Sequence, residues 1–146
     1  ASNYRGPWPR ISVWHGTADA IVKPSNAEHV VSQWLNVQGL QREPSQLEQG
    51  AGYTRRMWAN KDDKSALECF TVTGMGHGVP LATTGQDACG AVGPFFLDTG
   101  ISATSHIARF WDLESTTYTL PKEAHAGAAD SAARRWGPRA VPCGAA

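Results

Sequence analysis

Long apolar runs are missing from this sequence. No stretch of its 146 residues approaches the roughly 18 apolar residues that a membrane-spanning helix needs, so a helical bilayer span is excluded. Net charge is missing too. Thirteen Lys and Arg balance 13 Asp and Glu, which removes any general electrostatic case for binding nucleic acid or an anionic membrane. Cysteine is scarce and odd in number: Cys69, Cys89 and Cys143, at spacings that resemble no zinc site. Cys69 sits in an apolar, strand-like run and reads as a small buried hydrophobe. A Cys69–Cys89 bridge in an exported protein is the alternative. No charged start followed by an apolar stretch marks a signal peptide. The first residue is Ala1 rather than Met, so the chain is expected to be processed, trimmed or a piece of a longer gene product. The lack of a leader therefore says little about where the parent goes. No internal repeat is visible.

What is present suits a packed domain. The sequence is 41% hydrophobic and holds 6 Trp, which argues for a core rather than disorder. Arg10–Trp14 alternates and is rich in strand formers, and His15-Gly-Thr-Ala-Asp19 then reads as a turn. The clearest helix follows. Ala27, Val30, Val31, Trp34 and Leu35 form an apolar stripe at helical spacing, with Asn26, His29, Ser32, Gln33 and Asn36 opposite. Ser25 with Glu28 reads as a capping box, and Gly39 as the stop. Residues 41–52 read as a loop. Tyr53–Ala59 and Leu67–Val72 read as two strands joined by the polar turn Asn60–Ser65. An irregular stretch from Pro80 to Asp98 is expected next, then a short helix from about Ser102 to Leu113. After Leu113 the composition shifts to Ala, Gly, Pro and Arg, so residues 114–146 are expected to be a linker-like or disordered tail.

One strong crossover helix among so few strands leaves a sheet face and an edge uncovered, so the pieces look like one side of a larger parallel sheet. Asp19 follows the first strand and His77 follows a later one. In open α/β sheets the loops at the carboxyl ends of strands line the ligand crevice, so the two side chains can meet there. A carboxylate that fixes one imidazole nitrogen leaves the other free to take a proton from a hydroxyl nucleophile. Gly74, Gly76 and Gly78 give the loop "GMGHG" the freedom to swing His77 over that rim. Each residue also has a plainer reading: His77 as a turn residue, Asp19 as a turn or cap residue, His15 as a strand-end residue bonded within its turn. A metal held by His15, Asp19 and His77 matches no standard spacing. His29 reads as solvated, and His106 and His125 offer nothing specific. Trp8, Trp14 and Trp34 read as packing residues, with substrate contact as the alternative.

Read together, three blocks carry a resemblance. "GPWPRISVWHGTADAIVKPSNAEHVVSQW" (Gly6–Trp34), "GMGHGVPL" (Gly74–Leu81) and "CGAVGPFFLDTGISATSHIARFWDL" (Cys89–Leu113) resemble, in order, the C-terminal part of poly(3-hydroxybutyrate) depolymerase-type and feruloyl esterase-like α/β-hydrolases. The similarity covers roughly Tyr4 to Leu113. It implies the C-terminal half of an α/β-hydrolase fold: an incomplete parallel sheet with flanking helices, filling residues 1–113. It implies Asp19 as the acid and His77 as the base of a Ser-His-Asp triad. It also implies an extracellular or periplasmic serine esterase that acts on hydroxyalkanoate or aryl esters and needs no cofactor. Two departures stand out. Asp112 occupies a position where the family generally has glycine. The Gly-x-Ser-x-Gly nucleophile elbow occurs nowhere in the sequence. Loss of a triad nucleophile costs about 10⁶-fold in rate, so the chain alone is expected to be inactive. The contrasting expectation is a non-enzymatic module that pairs its open sheet edge with a partner chain.

Overall fold

The computed structural model describes residues 3, 4 and 6–113. In chain order these form β1 (Ile11–Gly16), α1 (Ser25–Gln38), β2 (Gln46–Gly50), β3 (Tyr53–Ala59), β4 (Ser65–Val72), β5 (Val79–Leu81), β6 (Phe96–Asp98) and α2 (Ala103–Phe110). The first four strands make one sheet in the order β1-β4-β3-β2, and β5 and β6 make a second, two-stranded one. In the four-stranded sheet the expectation of parallel strands holds for one pair only. β1 runs parallel to β4, whereas β4–β3 and β3–β2 are antiparallel. The sheet is therefore mixed. The short turn at Asn60 dictates this, because a few residues can reverse a chain but cannot cross it over to a parallel neighbour.

The turn is built by Asn60, whose Oδ1 accepts from the backbone N–H groups of Asp62 and Lys64. β2 lies inside the stretch expected to be a loop. Its polar residues pair along one edge of β3, where no continuous apolar pattern is required. The irregular stretch from Pro80 likewise contains the parallel pair β5–β6, each only three residues long and too short to show periodicity.

α1 lays Ala27, Val31 and Leu35 on the sheet, while Val30, inside the expected stripe, stays exposed. Gly39 takes φ 65 and closes the helix in the left-handed conformation, as its sequence position implies. The capping box does not form. The N-cap is Pro24 with no side-chain cap bond, and Glu28 instead holds Arg56 on β3. α2 begins at Ser102, whose Oγ accepts from Ser105 N.

β4 is buried on both faces, which explains its near-continuous apolar run. Toward α1, Leu67 and Cys69 pack with Val31, Leu35 and Trp58. Toward α2, Phe70 and Val72 pack with Met75 and Ile101, and the Trp14 ring stacks on Phe70 at 3.7 Å. His106, silent in the sequence, meets the rings of Trp14, Tyr53 and Phe70 edge-on, and its burial there lowers its pKa. Cys69 is a buried free thiol, so the Cys69–Cys89 bridge is not formed. Trp8 packs between Tyr4 and Trp34. The three tryptophans thus serve packing.

One charge lies in this core. Glu68 is fully buried, and both its carboxylate oxygens are satisfied: Ser12 Oγ donates to one at 2.7 Å, Arg55 Nη2 and Nε to the other at 2.6 and 2.9 Å. Trp14 Nε1 in turn donates to Ser12 Oγ. Asp112, just past α2, takes φ 57, the left-handed region that glycine accepts freely, and pairs with Arg10 at 2.7 Å. The expected tail at 114–146 and His125 lie outside the described residues.

Candidate active site

Because β1 and β4 are parallel neighbours in register from Ile11↔Leu67 to Gly16↔Val72, their following loops leave the sheet side by side at one rim. Backbone bonds clip the two loops together. Thr17 N donates to Val72 O at 2.9 Å and Ala18 N to Met75 O at 3.0 Å, while Thr17 Oγ1 accepts from Gly74 N. The approach is close enough to demand a specific residue: a Cβ on Gly16 would stand 2.1 Å from Met75 O. Gly74 takes φ +70, which lets the chain turn off β4, whereas Gly76 has open space and no such requirement. Of the three glycines expected to bend the loop, Gly74 alone takes a positive φ, while Gly78 is required by the close approach of Phe95 O.

Asp19 and His77, 58 residues apart in sequence, meet at this rim. His77 Nδ1 lies 2.9 Å from Asp19 Oδ2. The other carboxylate oxygen, Oδ1, accepts from Ile21 N at 2.9 Å and Val22 N at 2.8 Å. This turn of an acidic side chain onto its own following amides is the sequence signal for how Asp19 is held. Withdrawal from solvent pushes the Asp19 carboxyl up. The bonds from Val22 N, His77 and Ile21 N outweigh that and hold it at about 2, below its ordinary 3.8. An ionised carboxylate can only accept, so the shared proton belongs to His77 Nδ1 and leaves Nε2 as the basic nitrogen. The Asp19 side chain is 5% exposed and that of His77 40%, so the carboxylate is sheltered while the imidazole faces outward.

His15 lies behind this pair, against the Asp19 turn. Its Nε2 is 3.1 Å from Val22 O and 3.9 Å from Asp19 Oδ2, which matches the expected strand-end residue bonded within its turn. Among the described residues no group of three or more His, Cys, Asp and Glu side chains has the geometry to hold a metal ion. His29 is exposed on α1. A cleft between α1 and β3, lined among others by Glu28, Arg42, Arg56 and Trp58, lies on the helix side of the sheet and includes neither Asp19 nor His77. No sequence signal singles out Phe95, whose ring stands 5.8 Å from the His77 ring.

Known proteins resemble this chain over part of their length. The chain is 34% identical over 113 residues to poly(3-hydroxyalkanoate) depolymerase C of Paucimonas lemoignei, covering 77% of this chain and 27% of that protein. The segment is homologous to part of the polyhydroxybutyrate depolymerase and feruloyl esterase-like family. Feruloyl esterase B of Talaromyces stipitatus is 37% identical over 78 residues, 53% of this chain and 21% of that protein. An acetylxylan esterase of Coprinopsis cinerea is 33% identical over 84 residues, 56% of this chain and 21% of that protein. The chain thus spans about a quarter of the length of these family members. No family model matches it. Esterase relatives and a mixed sheet flanked by helices are both compatible with an α/β fold.

Proposed function

We propose that this chain is part of a carboxylic ester hydrolase of the polyhydroxybutyrate depolymerase and esterase type, with Asp19 as the acid and His77 as the base of a Ser-His-Asp relay. The observation that carries this reading is the 2.9 Å bond between Asp19 Oδ2 and His77 Nδ1 at the shared rim of two parallel strands. Asp19 fixes the tautomer and stabilises the imidazolium that forms when His77 Nε2 takes a proton from a serine hydroxyl. The same nitrogen then protonates the leaving alcohol, and the cycle repeats with water. The serine is not supplied here, because the sequence contains no Gly-x-Ser-x-Gly elbow.

On this reading residues 1–113 are the C-terminal part of an α/β-hydrolase catalytic domain. The substrate is an ester of a hydroxyalkanoate or an aromatic acid, and the parent protein works outside the cytoplasm. Among the described residues no helix is long and apolar enough to cross a membrane.

A p-nitrophenyl ester assay on the 146-residue chain and on the full-length gene product tests the reading. Turnover is expected only in the latter. Equal turnover in both would show that the nucleophile lies within this chain and sink the assignment of roles. A second reading rests on β1, one of the two outer strands of the described sheet, which presents one unpaired edge. There the chain is a binding module for a partner strand. A monomeric chain by light scattering, together with ester turnover in the full-length product, counts against it.

A further inference from the structure

Phe95 is held in the open by the fold. Its residue surface is 63% exposed, and its backbone sits at φ 64, a region that bulky residues rarely adopt. The surroundings hold that strained conformation in place. Phe95 O accepts from Val79 N at 2.7 Å, and the same carbonyl approaches Gly78 so closely that a Cβ there would stand 2.7 Å from it. β6 then continues from Phe96 along β5, register Val79↔Phe96. The result brings the Phe95 ring edge-on to the imidazole of His77, with centroids 5.8 Å apart and planes at 77°. Val79 and Phe96, on either side, are also exposed. Strained backbone that presents an apolar ring to solvent beside a proton-transfer group is where function is expected.

The chemistry of the relay says which part of a substrate the ring meets. This step rests on the proposed roles of Asp19 and His77. His77 Nε2 must reach the oxygen of the departing alcohol at about 3 Å to protonate it. The group attached to that oxygen therefore lies beside whatever flanks the imidazole. The acyl group is held on the nucleophile's side instead. We propose that Phe95 is a specificity-determining residue whose ring receives the alcohol portion of the ester, favouring leaving groups with an apolar or aromatic body.

The test uses the full-length gene product with F95G and F95N, two residues that accept the left-handed backbone while removing the ring. With the acyl group fixed as acetate, kcat/KM is compared for benzyl and methyl esters. The ring's loss should lower the benzyl value about 10- to 100-fold and the methyl value less than about 3-fold. The preference between acetyl and butyryl methyl esters should stay unchanged. Equal losses on benzyl and methyl acetate, or no loss on either, overturn the proposal, the first by showing that Phe95 packs against another part of the protein. His77→Ala, assayed beside them, separates the two ideas. Abolished turnover with a uniform Phe95 effect sinks only the role of Phe95. Retained turnover sinks the relay and the inference together. Should F95G fail to fold, F95N carries the same comparison.

Discussion

Asp19 divides its two oxygens between two tasks. Oδ1 closes its own turn through Ile21 N and Val22 N, and Oδ2 accepts the hydrogen bond from His77 Nδ1. Replacing it with Asn keeps the shape but offers an N–H or a neutral oxygen to Nδ1, so the imidazole loses its fixed tautomer. In the full-length product, Asp19→Asn is expected to lower turnover about 10⁴-fold with little change in KM, measured on a p-nitrophenyl ester. The same variant has a signature in acid. The folded carboxyl sits at about 2 against an ordinary 3.8, so its contribution to stability is complete above 3.8 and is lost as pH falls through about 2. The stability gap between wild type and Asp19→Asn should therefore narrow over that window in urea unfolding. A pH-independent gap would mean that Asp19 is not held as a carboxylate.

At the scale of elements, the inner strand β4 is the most enclosed. It is covered by α1 on one face and by the cluster under α2 on the other, and Glu68 is the charge it must tolerate there. Arg55 on β3 is the counter-charge, supported by Glu48 on β2, whose second oxygen takes the Tyr53 hydroxyl. Three adjacent strands are thus tied through one ion network. Arg55→Met leaves Glu68 buried with only Ser12 to satisfy it, and a loss of about 3 kcal/mol is expected in chemical denaturation. The double variant Arg55→Met with Glu68→Leu should recover much of that loss, because it removes the buried charge along with its partner. Without recovery, the damage would lie in packing rather than in charge.

At the scale of the whole molecule, what stands out is that no strand among the described residues pairs with the outer edge of β1. Strand amides alternate in direction. Thr17 N points to β4, so the amides of Val13 and His15 do too, while those of Ser12 and Trp14 point to the open side. In the isolated chain the amides of Ser12 and Trp14 should exchange with deuterium at least about 10-fold faster than those of Val13 and His15. In the full-length product all four should be slow, if a further strand of a larger sheet lies against β1. Persistent fast exchange there would mean that the sheet ends at β1.

The local elements were largely legible because their signals are local. The apolar stripe of α1, its stop at Gly39, and the two runs around the Asn60 turn each follow from spacing and turn chemistry within a dozen residues. The weaker elements escaped for the same reason. β2 is polar, β5 and β6 are three residues long, and none of them makes a pattern until a neighbour pairs with it. The capping box at Ser25 failed because the helix begins at Ser25 itself, with Pro24 at the N-cap, and Glu28 pairs with Arg56 across the fold.

The sequence by itself determined the crossover helix, the hairpin of β3 and β4, and the likeness of three ordered blocks to one esterase family. It also nominated Asp19 and His77 as residues that follow strands. Tertiary structure alone decided that these two side chains touch, because their meeting depends on β1 and β4 being parallel neighbours in register rather than on any spacing between them. It alone decided that Glu68 is buried yet paired, and that Phe95 stands beside the imidazole. Sequence patterns record how each segment treats water. Which charges and rings face one another is set only when the segments pack.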